Sequence, residues 1–179
     1  GYEHQLFYKQ KEVENNLRRI GHLELPKTST ILGSEKQYFY SNKMEFSFSD
    51  SRWLTLEEIN SGKEIDDKNA LGFHIPGMWD KILHIKKCHL QEDPSNSIRL
   101  EINDFAIKNN LSFFNPRNQW GILRTVMIRT SSTGEIMVMV QFFEDDLEKR
   151  ELLMNHLAVT FPEITSLLYV INQKQNDTI

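Results

Sequence analysis

"GILRTVMIRTSSTGEIMVMVQFF", residues 121–143, decides the fold class. Its two arms are rich in β-branched and large apolar residues, and the turn-forming run Ser131-Ser132-Thr133-Gly134 separates them. That pattern predicts a β-hairpin. The second arm is apolar on both faces, because Ile136, Val138 and Val140 alternate with Met137 and Met139. A strand covered on both sides belongs in the middle of a sheet. In the first arm, alternation puts Arg124 with Ile122, Val126 and Ile128, and Arg129 with Leu123, Thr125 and Met127. If helices cover one face of the sheet, both arginines reach the open face only through a bulge. Arg129 lies beside the turn and has a route to solvent, whereas Arg124 is mid-strand and calls for an internal partner.

Outward from this hairpin, "DDLEKRELLMNHLAV" (145–159) predicts a helix with acid in its first turn, where the helix dipole favours it. "SLLYVIN" (166–172) reads as a last strand, and "QKQNDTI" (173–179) as a polar tail. On the other side, Ile98, Ile102, Phe105 and Ala106 form a helical stripe ending near Asn109. Asp93 is placed at its N-cap and Pro94 at its first helical position. "LGFHI" (71–75) and "KILHI" (81–85) flank "PGMW", a second hairpin. "NKMEFSFS" (42–49) alternates cleanly, with Met44, Phe46 and Phe48 on one side of a half-buried strand. Residues 50–70 are polar and acidic, with a short helical turn near "LTLEEIN". "YEHQLFYKQKEVENNLRRIG" (2–21) predicts an opening helix with Leu6, Val13, Leu17 and Ile20 on one face and Gly21 as its stop. The sum is an α+β fold: a mostly antiparallel sheet with helices covering one face. The expected division is an N-terminal helix, residues 1–25, and a central domain, residues 26–179.

Composition narrows the function classes. With 39% hydrophobic and 26% charged residues, the 179-residue chain has enough apolar material for a core. No apolar run is long enough to span a membrane, and no signal peptide opens the chain. A formal net charge of −4 argues against a strong autonomous nucleic-acid binder, though not against one contributor to a larger binding surface. The eight glycines are scattered, so neither a phosphate loop nor a dinucleotide fingerprint is present. A nucleophilic serine elbow is also absent. The acidic run Glu144, Asp145, Asp146 and Glu148 reads as a solvated helix start.

One cysteine in the whole chain implies no disulfide framework and suits a reducing cytoplasm. Cys88 sits in "HIKKCHL" (84–90), where His84 and His89 flank it without a recognised zinc spacing. Two readings stand side by side. Free cysteine is an ordinary small core residue; yet Lys86, Lys87 and a protonated His89 would favour a thiolate.

Taken together, several segments resemble the central domain of the RNA uracil-5-methyltransferases, closest to the iron–sulfur, 23S ribosomal-RNA type. The opening helix resembles the one that follows three cysteines of a C-x5-C-G-G-C pattern in that family. "YSNKMEFSFS" resembles its tyrosine-arginine-asparagine-lysine strand, and "LGFHIPGMWD" its leucine-glycine-phenylalanine segment. "LHIKKCHL" is similar to a strand followed by a cysteine, and "GILRTVMIR" to a further family strand. The resemblance implies that Cys88 is the fourth ligand of a 4Fe–4S cluster, partly accessible, with its three partners before Gly1. It also implies an S-adenosylmethionine-dependent methyltransferase domain, holding the catalytic residues, beyond Ile179. On this reading the stretch itself is inactive, has no catalytic residue and is expected to hold neither cofactor alone. Its partner is RNA, ribosomal ahead of transfer, and no membrane is involved.

The RNA-contact candidates are Asn42, Lys43, Arg124 and Arg129. Ser41 stands where the family has arginine, which removes one phosphate contact. Lys43 reads equally as a charge at the end of a strand. The alternative for the whole chain is a free-standing α+β interaction or ligand-binding module with a structural cysteine.

Overall fold

A computed structural model describes residues 1–174. Five residues of the polar tail, 175–179, lie outside the described residues. The chain divides into two compact units, Gly1–Tyr40 and Ser41–Ile179.

The first unit is built on helix α1, Tyr2–Asn15, which continues as a π-helical turn, Asn16–Ile20. The following segment is pinned to α1 by side chains. Gln10 donates to the Ser29 carbonyl at 3.2 Å and accepts from the Ile31 amide at 2.9 Å. The Ser34 amide donates to the Tyr2 hydroxyl at 2.7 Å. The expected face of Leu6, Val13, Leu17 and Ile20 is not a buried one: α1 has no buried residue, and Val13, Leu17 and Ile20 are exposed. So short a unit supplies too little apolar surface to cover the stripe that its periodicity predicts.

The second unit holds a six-stranded sheet: β1 (Lys43–Ser49), β2 (Ala70–Ile75), β3 (Met78–His84), β4 (Leu123–Thr130), β5 (Ile136–Phe142) and β6 (Ser166–Ile171). The spatial order is β3-β2-β1-β4-β5-β6. Every pairing is antiparallel except β5 with β6. That parallel pair needs a crossover, and helix α4 (Leu147–Thr160) supplies it. Helix α3 (Ser95–Lys108) leads from the β3 side of the sheet to β4, and the short α2 (Leu56–Asn60) lies between β1 and β2. The fold is α+β with a mostly antiparallel sheet, as the hairpin at 121–143 predicts.

The core lies between one face of the sheet and the helices. Phe46 and Phe48 of β1, Val126 and Ile128 of β4, and Val138 and Val140 of β5 meet Ile98 and Ile102 of α3 and Leu153 and Leu157 of α4. Burying each such side chain contributes roughly 1.5–3 kcal/mol before conformational entropy is counted. Across the helix pair, His156 lies against Glu101 at 2.7 Å and stacks on Phe105 with ring centroids 3.9 Å apart.

Two local expectations change. Met78 and Trp79 belong to β3, so the turn between β2 and β3 is Pro76-Gly77 alone, with Gly77 at φ 80°. Helix α3 starts one residue late, with Pro94 as its N-cap and no side-chain cap. The reason is local: the Ser95 amide donates to the Glu92 carbonyl at 3.2 Å and the Ser95 hydroxyl to Gln91. The chain is therefore still turning at the proline.

Candidate functional site

Opposite the helices the sheet has an open face. β1 contributes Lys43, Glu45 and Ser47 to it, and β4 contributes Thr125, Met127 and Arg129. Three of the four candidate contact residues meet at one end. Lys43 and Arg129 are directly paired across the ladder, and the Asn42 carbonyl accepts from the Thr130 amide at 3.0 Å. Together they line a groove of about 420 Å³ that also includes Glu135 and Met137. The charge there is mixed. Lys43 is ion-paired to Glu45 at 2.7 Å, and hydrogen bonds from Ser131 and then Thr133 hold the Glu135 carboxyl below its ordinary range. Arg129 is exposed. Ser41 donates its hydroxyl to the Lys43 carbonyl at 2.8 Å, a bond to the backbone.

Arg124 is not part of that cluster. The ladder between β4 and β5 shifts at Leu123/Thr125: Leu123 opposes Phe142 and Thr125 opposes Gln141, leaving Arg124 as the extra residue. This is the bulge that two outward arginines require. It returns Leu123 to the core and lets Arg124 line the same cavity as Ser47 and Thr125. Arg124 is nevertheless only 6% exposed. Its guanidinium donates to the carbonyls of Asn172 at 3.0 Å and Lys174 at 2.7 Å. It lies 5.0 Å from the Phe114 ring centroid and 5.8 Å from that of Phe143. The mid-strand arginine has the internal partners its position calls for.

At that end the open face deepens into a cavity of about 670 Å³ between the β2–β3 turn and the loop that precedes β4. Trp79 stands in its wall and is 58% exposed. The Arg117 guanidinium lies 5.4 Å from the Trp79 ring centroid and is fixed there by Asp80, Nε to Oδ2 at 2.6 Å. Arg117 in turn holds the Asp80 carboxyl below its ordinary range. Sequence reading missed this constellation. A tryptophan just past a Pro-Gly turn is its one legible sign, because Arg117 and Gln119 arrive from a different loop.

Cys88 does not have the expected accessibility. It is 4% exposed and packs in the main core cluster. Asn96 of α3 explains the placement: its Oδ1 accepts from the Cys88 amide at 2.7 Å, and its Nδ2 donates to the Cys88 carbonyl at 3.2 Å. The Leu90 amide donates to Sγ at 3.4 Å. Nearby on α3, Arg99 is wholly buried, its guanidinium 5.3 Å from the Phe46 ring centroid. Its Nε and Nη1 have no partner among the described residues, and burial pulls its pKa below the ordinary value. In the cluster that the resemblance implies, Cys88 would supply one ligand. The set is incomplete, however, because Cys88 is the one cysteine of the chain and four thiolates hold such a cluster. No group of three or more His, Cys, Asp or Glu able to hold a metal occurs among the described residues.

The acidic run is structural at three points. Asp146 caps α4 by accepting from the Lys149 amide at 3.1 Å, Asp145 pairs with Arg150, and Glu144 accepts from the Gly121 amide at 2.7 Å. No helix among the described residues is long and apolar enough to cross a membrane.

The chain matches no known protein-family profile. It is 55% identical over 181 residues to an uncharacterized RNA methyltransferase of Bacteroides thetaiotaomicron, covering 99% of this chain and 40% of that protein. It is 50% identical over 186 residues to one from Porphyromonas gingivalis, covering 99% and 39%. The chain thus spans about two fifths of the length of these relatives. In structure it resembles the Pyrococcus abyssi tRNA (uracil-54, C5)-methyltransferase, which was crystallised with S-adenosyl-L-homocysteine. The TM-score is 0.65 at 20% identity, over 99% of this chain and 36% of the other, a likeness of fold.

Proposed function

We propose that this chain is the RNA-positioning domain of an S-adenosylmethionine-dependent RNA (uracil-5-)-methyltransferase, with ribosomal RNA as its substrate. The observation that supports it most is the 55% identity to an uncharacterized RNA methyltransferase over 99% of the chain, which speaks for RNA methylation and names no target base or RNA. On this reading methyl transfer from S-adenosylmethionine is the task of the remainder of such an enzyme. Its setting is the cytoplasm, which suits a lone thiol.

Enzymes that modify a base take it out of the stack, and sequence-specific RNA recognition favours loops whose bases splay outward. A domain serving that chemistry must hold the flanking backbone while the target leaves. Arg129 and Lys43, opposed across β1 and β4, supply cations for phosphates, and Asn42 flanks them with an amide. Arg124 acts behind them as a positioning residue, tying β4 to the segment after β6. A cluster ligated by Cys88 would draw three thiolates from outside these residues, and no step of the proposal passes through it.

The test is RNA binding by the enzyme that contains this chain, measured as a function of salt. Arg129→Ala and Lys43→Ala are each expected to lower the salt slope by about one, the signature of a lost phosphate contact. Unchanged slopes in both variants would remove the open face from RNA recognition and favour an interaction module instead.

A further inference from the structure

We propose that the cavity beside Trp79 is a subsite for one unstacked nucleobase, with Trp79 as its stacking platform; this rests on the reading of the chain as an RNA-binding domain. Position is the first ground. Lys43, Glu45 and Ser47 succeed one another on the open side of β1, and Ser47 and Thr125 already belong to the cavity. From Lys43 to Ser47 is roughly 13 Å at ordinary strand rise. A strand held by its phosphate at Arg129 therefore reaches the cavity within a few nucleotides. The intervening surface, with Glu45, Met127 and Met139, is itself grooved and shares Ser47, His74 and Thr125 with the cavity.

The second ground is the chemistry of the walls. Trp79 is large, exposed and held in place: Arg117 lies over its ring, and Asp80 fixes Arg117. Asp80 is anchored in turn by its own backbone, whose carbonyl accepts from the Ser49 hydroxyl at 3.1 Å. A pre-positioned ring loses little freedom when a base stacks on it, and every base presents a π-face. The Asp80–Arg117 pair cancels its own charge and leaves the ring as the recognition surface.

Gln119 adds a polar handle. It sits at φ 54° in a tight turn, where its Nε2 donates to the Pro116 carbonyl at 2.7 Å. Its Oε1 is buried and has no partner among the described residues, so an incoming base N–H reaches it only with a small rotation of the amide. At about 670 Å³ the cavity falls within the size range of small-molecule sites and admits a nucleotide.

The experiment compares two probes on the enzyme that contains this chain, a short fluorescein-labelled single-stranded RNA and a fully abasic oligomer of the same length and charge. The wild-type enzyme is expected to prefer the base-bearing RNA by about tenfold. Trp79→Ala should reduce that preference to within about twofold while leaving abasic binding and the salt slope unchanged. Trp79→Phe should retain most of it, which separates loss of stacking from loss of fold. Equal binding of both probes by the wild type, or a preference that survives Trp79→Ala, overturns the subsite alone. Failure of the wild type to bind either probe overturns the RNA-domain reading, and the subsite with it.

Discussion

Lys43 on β1 and Arg129 on β4 are direct partners in an antiparallel ladder, so two cations face each other at the end of the open sheet. Like charges opposed in this way weaken a sheet. The ion pair of Lys43 with Glu45 at 2.7 Å offsets part of that repulsion. Arg129→Thr is therefore expected to stabilise the fold by about 0.2–1 kcal/mol in urea unfolding. The same change should weaken RNA binding. A variant that is both less stable and unaltered in RNA affinity would make Arg129 a structural residue.

Arg124 should behave oppositely. Its guanidinium holds two backbone carbonyls, those of Asn172 and Lys174, and hydrogen bonds to a charged group each contribute about 1.5–3 kcal/mol. Arg124→Met, which keeps the bulk between Phe114 and Phe143, is expected to cost about 3 kcal/mol. The salt slope of RNA binding should stay as it is. A stability change below about 1 kcal/mol in denaturant titration would show that water replaces the guanidinium at both carbonyls.

Glu58 provides a pH test in the long connection between β1 and β2. Arg52 first, and then the Thr55 amide of the α2 capping box, hold its pKa down from 4.5 to about 2. A depressed carboxylate contributes stability that is complete above its unfolded value and is lost as pH falls toward its folded one. The contribution should therefore be intact above 4.5 and fade between 4.5 and about 2. Carboxyl chemical shifts should show the Glu58 midpoint near 2, moving up toward 4.5 in Arg52→Ala. A midpoint near 4.5 in both proteins would mean that the pair does not persist in solution.

Gly121 and Gly134 both adopt positive φ, at 114° and 99°, but they differ in space. A Cβ on Gly121 would sit 2.4 Å from the Phe113 carbonyl oxygen, whereas one on Gly134 meets nothing within 4 Å. Gly134→Ala should cost only backbone strain, about 1–2 kcal/mol. Gly121→Ala should cost that and a backbone displacement at the wall of the Trp79 cavity, about 4 kcal/mol or more. Thermal unfolding of the two variants ranks them, and equal costs would show that the loop before β4 yields freely.

Periodicity and turn chemistry were enough to read the sheet-forming hairpin at 121–143, the α3 stripe, the α4 helix and a last strand after it, though not that this strand pairs in parallel with β5. These signals are local: side chains alternate every second residue in a strand and return every three or four in a helix, whatever lies beyond them. Alternation likewise set Arg124 and Arg129 on opposite faces, so that bringing both outward required the bulge that the ladder contains. What the sequence could not carry was decided by contacts between distant segments. The bulge at Arg124 depends on how β4 registers against β5, and Cys88 is buried because Asn96 of α3 closes on its peptide group. Arg117 reaches Trp79 only after β4 has joined β1 and brought its preceding loop beside the β2–β3 turn. The stripe on α1 marks the other limit, since a helical period states which residues share a face and leaves burial to whatever surface the fold provides for it.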